Sequence, residues 1–319
     1  MKAVVLAGGY ATRLWPLPRN RPKMLLPVGE ETVIDRILGE LEADDRIEEV
    51  YLSTNERFAE DFERHIEESA YAKPRLSVEQ TLDENEKLGV VGALAQLVDR
   101  EGLDGEDLLV VAGDNLISFD ISEFIDYFEA SGTSVLAAYD VGSVKRASSY
   151  GVVELEGERV VDFQEKPDDP PSTLVSIACY AFPAEDVQFE AYLSDDNNPD
   201  EPGWFIQWLQ ERNPVQAFTF DGAWFDIGTP ESYLDAVAWA LDGQSVVAES
   251  ATVEESTIGS NVHVMADATV TDSTLEGSLV FPGATVESAE LRETIVDEQA
   301  AVRGIDLSGA LVGAHSQIP

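Results

Sequence analysis

Residues 1–29 contain no Asp or Glu and five cations, Lys2, Arg13, Arg19, Arg21 and Lys23. The 319-residue chain as a whole holds 62 Asp+Glu against 20 Lys+Arg, a net charge of −42. An island of positive charge in so acidic a chain points to an anionic ligand. The stretch reads LAGGYATRLWPLPRNRPK. A short apolar run ends at Gly8-Gly9, where the missing side chains let backbone N–H groups approach phosphate oxygens. Arg13 then offers a planar fork and Lys23 a point charge to oxygens of the same class. A tight turn with solvated cations is the plainer alternative. Neither GxGxxG nor GxxxxGK[ST] is present, so this is not a Rossmann or Walker A phosphate loop.

Gly8-Gly9, then Thr12-Arg13-Leu14, then Pro22-Lys23 resemble the signature of the sugar nucleotidyltransferases, specifically the glucose-1-phosphate thymidylyltransferase group. The resemblance runs over residues 1–242 and departs at Ala11, where Gly is usual, and at Met24, where Gln often follows the Lys. It implies nucleotide contacts at Leu6, Gly8, Gly9 and Arg13, with Gln80 and Gly89 at base-reading positions and Asp114 near the nucleotide. Asp114 lies in Ala112-Gly113-Asp114-Asn115, at the end of a buried apolar run, where open α/β sheets place ligands. Asp226 lies in Trp224-Phe225-Asp226-Ile227-Gly228-Thr229. The resemblance makes these two residues Mg²⁺ ligands, and two carboxylates suit an ion that fills its shell with phosphate oxygens and water. Alone, either would read as a turn or cap Asp. Glu165-Lys166-Pro167 resembles the motif that holds sugar hydroxyls by Glu and the sugar phosphate by Lys; an exposed ion pair is the alternative. Gly151 and Ser176 fall at sugar-site positions. Ser176-Ile177-Ala178 stands where Ser-Thr-Gly is common.

The resemblance implies nucleotidyl transfer from a nucleoside triphosphate to a hexose 1-phosphate, with dTTP or UTP and glucose 1-phosphate as the leading pair. The attacking phosphate oxygen is already anionic, so no strong base is needed. Positioning and charge neutralisation by Mg²⁺, Arg13, Lys23 and Lys166 would carry the rate. GTP with mannose 1-phosphate is the runner-up. A regulatory paralogue that only binds nucleotide sugar, and an acyltransferase on the C-terminal repeats, are readings from other classes. The product would serve polysaccharide or glycan synthesis.

The elements that must position these residues divide into two textures. Residues 1–243 alternate strand and helix patterns, predicting a Rossmann-like, mixed and mostly parallel sheet. Strands are expected at 2–7, 49–53, 76–79, 108–112 and 134–139, and helices at 31–41, 57–68, 89–98 and 122–130. Asp120 and Glu123 form a candidate capping box. Strands at 151–155, 159–163 and 174–182 suggest an antiparallel insertion. Thr229-Pro230 predicts a helix start running through Leu241. From 244 to 319 the pattern Val247…Thr252-Val253 recurs as Val264…Val270, Val280…Val286 and Val296…Val302, a short period that resembles the hexapeptide-repeat left-handed β-helix. Every motif residue precedes Gly243, so the chemistry is expected to survive without the repeats, which are read as a stability and assembly element.

The charge excludes general attraction to nucleic acid or anionic membrane. No apolar run reaches a membrane span and no signal-peptide pattern opens the chain, so a cytoplasmic homo-oligomer is expected. One cysteine, Cys179, excludes an internal disulfide framework. Three scattered histidines disfavour a zinc site or a His-based triad. With 44% hydrophobic residues and only 6 Lys beside 14 Arg, the acidity fits a folded protein of a halophile rather than disorder.

Overall fold

A computed structural model describes residues 1–9, 12–79 and 88–319. It divides into two compact units, one of Met1–Gly9 with Ile34–Trp224 and one of Tyr10–Val33 with Phe225–Pro319. The texture of the sequence places a boundary at 243; compactness instead groups 10–33 and the segment before 243 with the repeats.

In chain order the elements before the repeats are β1 (Lys2–Leu6), β2 (Pro27–Val28), β3 (Glu31–Thr32), α1 (Val33–Ala43), β4 (Glu49–Asn55), α2 (Ala59–Glu68), β5 (Pro74–Glu79), α3 (Val90–Glu101), β6 (Leu108–Ala112), β7 (Asn115–Ile117), α4 (Ile121–Ser131), β8 (Ser134–Asp140), α5 (Val144–Ala147), β9 (Gly151–Glu156), β10 (Arg159–Glu165), β11 (Leu174–Phe182), α6 (Phe189–Ser194), α7 (Pro202–Gln210), β12 (Val215–Thr219), β13 (Trp224–Asp226) and α8 (Pro230–Leu241). The first unit is built on a nine-stranded sheet of order β5-β4-β1-β6-β11-β8-β12-β10-β9. From β5 to β6 every pairing is parallel. The central strands β1 and β6 are near-continuous apolar runs, as strands buried on both faces are, whereas β5 mixes buried and exposed positions at the edge. At β11 the sheet turns antiparallel, and β9, β10 and β11 form the expected insertion. The core gathers Val4, Val110, Leu136, Phe163, Tyr180 and Phe205.

Asp120 does open α4, but its side chain makes no cap bond, so the expected capping box does not form. The Glu123 N–H goes to the Asp120 carbonyl oxygen at 3.0 Å, and the Ile121 N–H donates to the Glu40 carboxylate of α1. Thr229 caps α8 as expected, accepting from the Ser232 N–H while Ser232 closes the box.

In the second unit the repeats make three parallel sheets of five, five and four short strands, in agreement with the expected left-handed β-helix. Each sheet stacks one apolar column through successive coils. The columns are Val247-Val264-Val280-Val296-Val312, Val253-Val270-Val286-Val302-Ile318 and Ile258-Leu275-Leu291-Leu307. Coil corners take left-handed backbone at Asp267, Gly283 and Gln299 among others. Among the described residues no helix is long and apolar enough to cross a membrane.

Candidate functional site

In the first unit, β1, β4 and β6 end in register, Leu6 opposite both Ser53 and Ala112. Their C-terminal ends therefore bring Gly8-Gly9, Asn55 and Gly113-Asp114 to one sheet edge. The turn after Leu6 is pinned through its carbonyls. Thr54 Oγ1 donates to Ala7 O at 3.1 Å and Asn55 Nδ2 to Gly8 O at 2.8 Å. Gly113 N–H closes on Leu6 O at 2.9 Å. Asp114 is half-buried beside that closure. Gln80 lies outside the described residues, as does Ala11. The neighbour Glu79 stands at the turn instead: a Cβ added to Gly8 would come within 3.0 Å of Glu79 Oε1. Burial raises the Glu79 pKa, opposed by the Ser53 hydroxyl, which donates to Oε1 at 3.3 Å, and by Arg100. Gly89 has a packing requirement of its own. It is the cap residue just before α3, with φ +74°, and a Cβ there would strike the Pro199 carbonyl at 2.3 Å.

A second cluster in the same unit joins Gly151, Glu165 and Lys166. Gly151 and Glu165 face each other across β9 and β10. The Glu165 carboxylate fills space that side chains at Gly151 and Gly203 would occupy, 2.9 and 1.7 Å from where their Cβ atoms would stand. Its side chain is 6% exposed. Burial pushes its pKa from 4.5 up to about 7, with Lys166 pulling down and Glu201 pushing up. Lys166 Nζ lies 4.0 Å from Glu165 Oε1 and pairs closely with Glu201, while its backbone sits at φ +45° and donates to Tyr150 O at 3.1 Å. A buried acceptor thus lies beside a half-exposed ammonium. Ser176 is buried and donates to the Tyr180 hydroxyl at 3.2 Å.

In the second unit, Arg13 and Asp226 meet at Gly228, whose hypothetical Cβ would lie 2.9 Å from Arg13 Nη2 and 3.6 Å from Asp226 Oδ1. Lys23 opens the short turn Lys23–Leu25 and is 9% exposed.

The family description "Nucleotidyl transferase" matches residues 2–243. The chain is a member of the nucleotidyl transferase family. Among curated relatives it is 32% identical to the "Putative mannose-1-phosphate guanyltransferase" of Sulfolobus acidocaldarius over 234 residues, 73% of this chain and 61% of that protein. It is 30% identical to a glucose-1-phosphate adenylyltransferase of Rhodopirellula baltica, over 73% of this chain and 58% of that one. The chain spans 55% to 61% of the length of the first four relatives it matches. A solved structure described as a "Putative Glucose-1-Phosphate Thymidylyltransferase" from Bacillus anthracis superposes with a TM-score of 0.65 at 24% identity, covering 76% of this chain and 96% of that one; it shows the fold.

Among the described residues no group of three or more His, Cys, Asp and Glu could hold a metal ion alone. Asp114 and Asp226 are hard oxygen donors at strand ends. Each is by itself the class of ligand Mg²⁺ takes alongside phosphate and water oxygens.

Sequence reasoning missed Glu79, Glu201 and Gly203, and quoted Gly228 in the Asp226 motif without giving it a role. Glu79 adjoins Gln80, and Glu201-Pro202-Gly203 carries a helix-start signal. Nothing local marks Gly203 as the glycine that makes room for Glu165, and the motif around Asp226 does not tell that Gly228 makes room for Arg13. His65 of α2 has its Nε2 2.7 Å from Asp35 Oδ1 of α1.

Proposed function

We propose that the chain transfers a nucleotidyl group from a nucleoside triphosphate to a hexose 1-phosphate and releases pyrophosphate. The observation that carries this reading is the Glu165–Lys166 pair. A buried carboxylate accepts sugar hydroxyls while the adjacent ammonium takes the phosphate of the same small molecule. Gly8-Gly9, Arg13 and Lys23 serve the triphosphate. The sugar-phosphate oxygen attacks the α-phosphorus, the bond to the β-phosphate bridging oxygen breaks, and the electron pair leaves with pyrophosphate. Asp114 and Asp226 would hold Mg²⁺, which when bound supplies positive charge to the triphosphate oxygens.

dTTP or UTP with glucose 1-phosphate is the reading implied by Asp114-Asn115 and the loop motif. A second, GTP with mannose 1-phosphate, is favoured by Glu79. The edge of guanine presents two N–H donors side by side, which a carboxylate accepts with both oxygens. Thymine and uracil present one donor flanked by two carbonyls, which an ionised carboxylate repels. The name of the Sulfolobus relative points the same way.

The test is pyrophosphate release across five triphosphates and several sugar 1-phosphates, in KCl at about 1 M, where the Debye length is about 3 Å and the surplus negative charge is screened. Lys166→Ala should raise KM for the sugar phosphate more than for the nucleotide, and Arg13→Ala the reverse. Binding of a nucleotide sugar without turnover of any pair would replace the enzyme by a regulatory paralogue.

A further inference from the structure

Segment 12–33 has almost no regular structure, only three short turns and the two-residue strands β2 and β3, yet it carries Arg13 and Lys23. It is fixed to the repeats and to α8 at three points within the second unit. Pro16 lies so close to the fifth coil that a Cβ at Gly313 would be 2.6 Å from its Cγ. Tyr233 of α8 is fully buried and donates to Pro27 O at 2.7 Å. Between these points Arg21 reaches three side chains of the coils. Its Nη2 donates to Asp297 Oδ1 at 2.7 Å and lies 3.3 Å from Glu298 Oε1, and its guanidinium stands 4.8 Å over the Phe281 ring.

Asp297 is 1% exposed and Phe281 is fully buried. A carboxylate so buried is costly without a close cation, and Arg is the cation whose fork and flat face satisfy an acid and a ring together. Solubility does not call for such a pair. Its place in the chain gives it a use: Arg21 is joined to Lys23 by one residue, Pro22, whose φ is held at −64°, and Lys23 begins a hydrogen-bonded turn in which Leu26 N–H returns to Lys23 O at 3.1 Å. There is little slack between the anchor and the ammonium.

We propose that Arg21 and Asp297 are positioning residues: through them the β-helix sets the loop that presents Lys23 and Arg13 to the triphosphate. This rests on the triphosphate reading of those two cations. It departs from the expectation that the repeats are irrelevant to chemistry because every motif residue precedes Gly243. The coils hold no reacting group, but they hold the loop that does.

The experiment uses the full chain with Asp297→Asn, which keeps the shape and one acceptor but removes the charge, and with Glu298→Gln as a milder variant that leaves the buried pair intact. Hydrogen exchange without ligand reads loop order. The turn amides of Arg19, Leu25 and Leu26 should exchange at least about tenfold faster in Asp297→Asn, while amides of β1 and β6 keep their rates. Kinetics then read position: the triphosphate KM should rise about tenfold or more and the sugar-phosphate KM less than about twofold, with Glu298→Gln shifting the same parameter less. Arg21→Lys should retain part of the function, and the exchange Arg21→Asp with Asp297→Arg should restore more than either single change. Unchanged exchange in the loop, or an equal rise in both KM values in a folded variant, overturns the proposal. If Asp297→Asn does not fold, Glu298→Gln and Arg21→Lys decide by the same two readouts. A wild-type chain that turns over no pair refutes the proposed function, whereas an active wild type with an unaltered Asp297→Asn refutes this inference alone.

Discussion

The Glu165–Lys166 cluster and the 12–33 loop each hold buried or half-buried charged groups in place, in opposite ways. The cluster is made by its own sheet. Glu165 is fixed by strand register to Gly151, by the space over Gly203 and by its own N–H, which donates to the Gln207 side-chain oxygen at 3.3 Å. The loop is made by something else, since it has few backbone bonds of its own and borrows order from coils nearly 300 residues along the chain. A strand end is a rigid mount by default, and a loop becomes one only where outside contacts over-determine it.

The harshest way to break the comparison is to end the chain after Gly243. If the loop depends on the coils, this truncation should show no measurable turnover, since even a misplacement of about 1 Å costs roughly a hundredfold. Folding is checked by circular dichroism and by hydrogen exchange in β1 and β6. A folded truncation with substantial activity would show that the loop orders itself.

Asp114→Asn and Asp226→Asn probe one residue from each unit. Each should lower kcat/KM by about 10²–10³-fold at ordinary Mg²⁺ with the melting temperature little changed. Near-normal activity at saturating Mg²⁺ would refute a metal-binding role for that residue.

Much of the positioning frame is legible in sequence, and its failures have a common cause. The repeat period showed two apolar columns, Val247 onward and Val253 onward; the third, Ile258-Leu275-Leu291-Leu307, varies in residue type and hid in the spacing. Thr229 announces α8 because both members of its box lie within four residues. Asp120 shows the same local signal, yet its side chain makes no cap bond: the Glu123 N–H goes to the Asp120 carbonyl oxygen at 3.0 Å, and the Ile121 N–H to Glu40 of another helix, a partner no local pattern records. The site divides the same way. Motifs name Gly8, Arg13, Lys23, Asp114, Glu165 and Lys166, but the glycine that shelters Glu165 lies 38 residues on at Gly203, and the acid that anchors Arg21 lies at Asp297.

A change of pH sharpens the cluster's side of the comparison. The Glu165 pKa is raised from 4.5 to about 7, chiefly by burial. The folded chain therefore keeps a proton that the unfolded chain has released between those values. Stability from this group is full below pH 4.5 and is lost as pH rises to about 7, by at most about 3 kcal/mol. Glu165→Gln should flatten that slope in denaturant titrations. Ligand binding should run the other way, since the ionised form accepts hydroxyls best. The KM for sugar phosphate should fall several-fold as pH rises through about 7 in the wild type. A pH-independent wild type would remove Glu165 from the sugar.

The smallest expected effect lies in β11, beside the cluster. Its register shifts between Ser176 and Tyr180, and within that irregularity Ala178 takes φ +52°. A left-handed backbone costs an alanine about 1–2 kcal/mol, because its Cβ crowds the following carbonyl. Glycine avoids that crowding but gives the unfolded chain more freedom, worth about 0.5–1 kcal/mol. Ala178→Gly should therefore stabilise the protein, by up to about 1 kcal/mol. The methyl group packs at the edge of the main core, which works against the gain. Denaturant midpoints of the two proteins read the balance. A lower midpoint for Ala178→Gly would mean that packing outweighs backbone strain, so that the bulge is held open by its neighbours. A higher midpoint with an altered sugar-phosphate KM would mean that the strained alanine trades stability for the position of Ser176.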